Sequence, residues 1–260
     1  MKQATEQRVD FFMKSKKTSE DTAFPNAPIT EAILDIRAEL PEKIKLEDLA
    51  TFQNHIRDRF PKKKERLSAD IQFSQEKGVS GTPPKTEGYL FYSDPDSKVV
   101  QARLDGFTFN KLKPYENWET FCREGFELWK LYSLVAQPTK VIRIALRYIN
   151  RIEIPLTSEN LEEYILTLPK IASALPQELG QFLLRLVIPN TKIGANAIIT
   201  LVLEKATDQG VPLIFDIDVS RDLVYVNNSE KIWSDFEKLR IFKNEIFSHS
   251  LTDKAKEMFK

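Results

Sequence analysis

The sequence predicts an α+β fold of two similar halves, each reading strand, helix, antiparallel meander and long helix, fused into one unit. Three observations predict it. Residues 140–156, KVIRIALRYINRIEIPL, are the longest strand-like run in the chain, with apolar residues at every second position. Residues 28–40, PITEAILDIRAEL, repeat that design near the start. Each run is followed by a helical stretch, several short strands and an aromatic helix, and Trp118 with Phe121 is echoed by Trp233 with Phe236. The echo points to an internal duplication. The expected divisions are an N-terminal arm over 1–24, a first half over 25–138 and a second half over 139–260.

In the central run one face carries Ile142, Ile144, Leu146, Tyr148 and Ile152, and the other Arg143, Ala145, Arg147, Ile149 and Arg151. The first run places Ala32, Leu34, Ile36, Ala38 and Leu40 opposite Glu31, Ile33, Asp35, Arg37 and Glu39. The charge biases are opposite. If the two strands lie side by side, Glu31 and Asp35 pair with Arg143 and Arg147.

Along the chain, residues 1–24 are polar apart from Val9, Phe11, Phe12 and Met13, and Lys14, Lys16 and Lys17 make them basic. Residues 45–60 place Leu46, Leu49, Phe52, Ile56 and Phe60 at helical spacing. Pro61 stops that helix, and KKKER is read as a loop before a strand over 68–75, with an exposed connection over 76–87. GYLFYS, KVVQARL and DGFTFNKL are three antiparallel strands, divided by Asp94-Pro95-Asp96 and by Asp105-Gly106. The next helix shows Trp118, Phe121, Cys122, Gly125 and Trp129 on one face, so Cys122 is read as a packed apolar residue. In the second half a short helix is expected over 158–166, capped by Thr157 or Ser158. QFLLRLVIP, ANAIITLVLEK and PLIFDIDVS follow as strands, and a last helix starts near Asn228 and Ser229 with Ile232, Phe236, Leu239 and Ile246 buried.

At 260 residues, 42% hydrophobic and 29% charged, the composition is that of a globular chain. Lys+Arg and Asp+Glu both number 38, which argues against a protein whose main task is to neutralise phosphates. One cysteine and two histidines, His55 and His249, leave no zinc cluster or disulfide framework. His55 stands at the edge of an apolar stripe with no serine or cysteine nearby to form a dyad. With no secretory signal and no long apolar run, a cytoplasmic protein without membrane contact is expected.

At PNAPITEAILDIR, DGFTFNKLKPYENWETF and VIRIALRYINRIEIP the chain resembles a sporadically distributed, uncharacterised prokaryotic family of about this length, over roughly 24–260. The resemblance implies a domain of unknown activity, scattered in the manner of defence-associated genes, and carries over no catalytic residue. The element order also resembles the helix-grip fold of the TATA-binding protein, a likeness of fold that implies no function.

No phosphate loop, dinucleotide fingerprint, HExxH or GxSxG pattern occurs, and no cofactor is expected. Three candidate sites remain. Arg143, Arg147 and Arg151, joined by Arg37 and Arg103, form a face able to clamp a nucleotide or other small anion, unless Glu31, Asp35, Glu39, Asp216 and Asp218 neutralise it. Asp216 and Asp218, alternate on one strand and followed by Arg221 and Asp222, are candidate oxygen ligands of a divalent metal. Lys62, Lys63, Lys64 and Arg66 are a candidate nucleic-acid contact that lacks an adjoining aromatic strip. The function expected first is a non-enzymatic binding or interaction module, a component of a defence or toxin-control operon, acting as a homodimer or with a protein partner. The alternatives are a metal- or nucleotide-dependent enzyme using the aspartates and arginines, and nucleic-acid binding.

Overall fold

Alternation of apolar and polar residues drives most of this chain into strands. The computed structural model describes residues 24–68, 71–74, 78–81, 83–157, 160–226 and 229–260; the expected arm, apart from Phe24, and the Ser158 cap lie outside them. In chain order the elements are β1 (Ile29–Glu39), α1 (Leu46–Ala50), α2 (Gln53–Ile56), β2 (Lys62–Ser68), β3 (Ile71–Ser74), β4 (Gly78–Gly81), β5 (Lys85–Tyr92), β6 (Lys98–Arg103), β7 (Gly106–Leu112), α3 (Trp118–Ala136), β8 (Lys140–Ile154), β9 (Phe182–Asn190), β10 (Ala195–Leu203), β11 (Val211–Tyr225), α4 (Ser229–Ser250) and α5 (Asp253–Glu257). Nine strands form one antiparallel sheet in the order β2-β5-β6-β7-β1-β8-β11-β10-β9, and β3 and β4 make a separate ribbon.

This arrangement corrects the expectation of two similar halves, each with its own sheet. β1 and β8 pair antiparallel from Ile29↔Asn150 to Glu39↔Lys140, so one hydrogen-bonded sheet runs through the expected boundary. The core is equally continuous. Gly125 of α3 would place a Cβ within 3.2 Å of Leu34 and 4.0 Å of Trp233, and Phe126 meets Trp233 edge-on at 5.2 Å. Trp118 Nε1 donates to Glu237 of α4 at 2.8 Å. Two helices in contact over one sheet face bury a single hydrophobic cluster.

Three local expectations also change. The helix over 45–60 is two short helices, α1 and α2. KKKER is strand β2 itself, because β5 offers it a backbone ladder. The helix over 158–166 is only a 3₁₀ turn at Leu161–Glu163.

The aromatic helix forms as expected. Asn117 caps α3 by accepting from the Thr120 amide at 2.8 Å, and Trp118, Phe121, Cys122, Gly125 and Trp129 are all buried. On α4, Ile232, Phe236, Leu239 and Ile246 are buried too. The apolar parity of β8 faces these helices, except that Ile142 is exposed. Asn150, on the same parity, is buried and donates its amide to the Phe215 carbonyl at 2.9 Å.

Candidate functional site

Among the described residues the opposite face of the sheet carries no helix on the strands that hold the arginines, and cross-strand register decides which charges meet there. One row runs Glu31, Ile149, Asp216, Thr200, Arg185 from β1 to β9; the next places Ile33, Arg147, Asp218 and Ile198 side by side. A third aligns Asp35 with Thr108 and Ala145, and a fourth sets Arg37 beside Arg143 and Arg143 beside Asp222.

Asp35 is the hub. Its Oδ1 accepts from Arg103 Nη2 at 2.9 Å and from Thr108 Oγ1 at 2.7 Å. Its Oδ2 faces Arg143 Nη1 and Arg37 Nε, both at 3.4 Å. Like charges set opposite each other on Arg37 and Arg143 repel, and the shared carboxylate offsets that repulsion. Arg103 is almost wholly buried and also binds Asp105 Oδ1 at 2.8 Å and Thr108 at 2.6 Å; Arg37 pairs with Asp105 as well. The expected pairing of Asp35 with Arg143 is present.

That of Glu31 with Arg147 is not. Register sets Ile33 opposite Arg147, and Asp216 reaches it from β11 in a bidentate bridge of 2.8 and 2.7 Å, which holds the guanidinium more firmly protonated. Glu31 instead accepts from Asn110 at 2.6 Å. Arg151 bridges Glu153 at 2.7 Å and Glu204 at 2.9 Å. All five candidate arginines are therefore engaged by carboxylates of the chain itself.

A shallow groove of about 780 Å³ lies at one end of this face, lined by Arg37, Glu39, Leu104, Asp105, Arg143 and Asp222 among others. Its two guanidiniums face three carboxylates, so it has no surplus positive charge to hold an anion. The metal candidates separate in the same way. Asp216 is occupied by Arg147, whereas Asp218 Oδ1 is buried with no hydrogen-bond partner. Burial pushes the Asp218 carboxyl upward, only partly offset by Arg143 and Arg147. Among the described residues no three His, Cys, Asp or Glu side chains come together as a metal set.

The lysines lie apart from this cluster, on edge strand β2. Lys62 binds Asp96 at 2.9 Å, and Arg66 binds Glu87 at 3.2 Å. Lys63 and Lys64 sit over the rings of Tyr89 and Tyr92, at 5.1 and 5.0 Å. Aromatic neighbours thus exist where the sequence showed none, because pairing of β2 with β5 brings them in. Lys63 and Lys64 remain exposed beside these rings, whereas Lys62 and Arg66 are held by acidic side chains.

One feature had no sequence signal beyond its strand pattern. β9 ends the sheet, and on its outer side no strand is paired among the described residues. Leu183 is 70% exposed and Val187 58%, with Ile198, Val202 and Ile214 half-buried beside them on the same face. Arg185 lies between, exposed and in no ion pair among the described residues.

Compared with models of known protein families and with curated proteins, the chain matches none. No helix among the described residues is long and apolar enough to cross a membrane.

Proposed function

We propose that the chain is a non-catalytic interaction module whose working surface is the β9 edge and the apolar strip beside it. The observation that carries this reading is the contrast between two parts of one sheet face. Its five candidate arginines are engaged by internal carboxylates, while Leu183 and Val187 stand exposed on a strand whose outer edge is unpaired among the described residues. An open strand edge offers a row of backbone donors and acceptors, and exposed side chains at alternate positions add apolar area for a partner. The resemblance of the three sequence blocks supports reading the module as a component of a defence or toxin-control operon in a prokaryotic cytoplasm.

The test is co-expression with a differently tagged second copy of the chain and with the products of neighbouring genes, using the wild type and a Leu183→Lys/Val187→Lys variant as bait. A partner retained by the wild type and lost by the variant is expected. A partner held equally by both, or turnover of any nucleotide by the purified protein, would overturn the reading.

A further inference from the structure

Resting on that reading of β9 as the docking edge, we infer that its occupant is a second copy of this chain, joined β9 to β9 about a two-fold axis. The argument turns on the charges of the two sheet edges. β2 presents Lys62, Lys63, Lys64 and Arg66 with one acid, Glu65. Pairing β2 with another β2 sets lysines against lysines, and pairing it with β9 sets them near Arg185; like charges directly opposite destabilise a strand pair. A basic edge of this kind is a protected edge.

β9, Phe182–Asn190, has the sequence FLLRLVIPN and a single charge. Of the combinations that the two edges of the nine-stranded sheet allow among the described residues, only β9 with β9 avoids cation against cation, and only if the register separates the two arginines. An antiparallel register centred on Val187 does so. Val187 then faces its own copy, Leu186 faces Ile188, and Arg185 faces Pro189. The two Arg185 side chains are offset by four residues, roughly 13 Å, beyond the screening length of about 8 Å at physiological salt. Val187 and the half-buried Ile198 of each copy then form one apolar row across the junction, with Leu183 and Val202 flanking it beyond the row of Arg185 and Thr200. Because the contact is the same patch on both copies, it closes at two and does not propagate into a fibre. A foreign partner specified by charge would have only Arg185 to address on this strand.

The experiment is native mass spectrometry with sedimentation velocity on the full chain, from low to high micromolar concentration. The expected species is twice the 30.1 kDa chain. Val187→Lys and Leu183→Lys should each raise the dimer dissociation constant at least about tenfold, the equivalent of ~1.4 kcal/mol, with circular dichroism unchanged. A Lys64→Glu variant on the opposite edge should leave the dimer intact. A monomer at every concentration overturns the inference, as does a dimer indifferent to both β9 substitutions. If the wild type is monomeric and still loses a co-expressed partner on β9 substitution, the second copy is refuted while the interaction reading stands.

Discussion

Replacing Asp35 by alanine separates a structural lattice from a ligand site on the open face. Asp35 holds Arg103 at 2.9 Å, and the two side chains are 16% and 4% exposed. Deleting the carboxylate therefore strands a guanidinium that water barely reaches. Breaking a buried pair by removing one partner costs about 3–5 kcal/mol. Arg103 keeps Asp105 and Thr108, which sets the expectation at the lower end, about 3 kcal/mol. Arg151, by contrast, is 38% exposed and its partners Glu153 and Glu204 are 34% and 44% exposed, so Arg151→Ala should cost about 1 kcal/mol or less. For a chain of this size the two figures correspond to falls in Tm of roughly 6–12 °C and ~2–4 °C.

Urea unfolding followed by the fluorescence of the three tryptophans gives both values, and an unchanged m shows that the comparison is sound. Arg151→Ala costing as much as Asp35→Ala, or Asp35→Ala falling within about 0.5 kcal/mol of wild type, would refute the reasoning. A double Asp35→Ala/Arg103→Met variant should cost less than the sum of its parts, since the stranded cation is removed with its partner.

Asp218→Asn should raise Tm at about pH 8 and change it little near pH 3, read by calorimetry across pH. The sign follows from burial: with the folded-state carboxyl raised, stability falls as pH climbs from the usual carboxylate range through the raised value, and the penalty is complete above it. Burial likewise pushes the Cys122 thiol well up, so a thiol reagent should label the native protein only as fast as it unfolds. Gly106→Ala should cost more than about 1 kcal/mol in the same urea assay, because φ is +146° and a Cβ there would collide with the Ile36 carbonyl oxygen.

What was legible in the chain was whatever repeats at short range. The period of two in 28–40 and 140–154 marked β1 and β8 and identified the buried parity, and their opposed charge biases were enough to place them side by side. The helical spacing of Trp118, Phe121, Gly125 and Trp129 gave α3 its buried face. Register was not legible. Shifting a partner by two residues keeps every side chain on its face and changes every charge pair, which is why Arg147 found Asp216 rather than Glu31. β2 was hidden because Lys62–Ser68 shows no alternation; an edge strand with little buried area needs none, and the ladder to β5 supplies the geometry.

The same reasoning explains the larger error. Element order is written locally, but the pairing of β1 with β8 is a long-range contact between stretches that each read as complete. The strand FLLRLVIP looks from its composition as though both faces are covered, and at the centre of a sheet they would be. At the edge Phe182, Leu184 and Leu186 pack toward the core while Leu183 and Val187 face solvent. Hydrophobicity that the fold itself does not consume remains for an intermolecular contact. Of the two edges of the nine-stranded sheet, the one left without charge protection is therefore the place where this chain should meet its own copy.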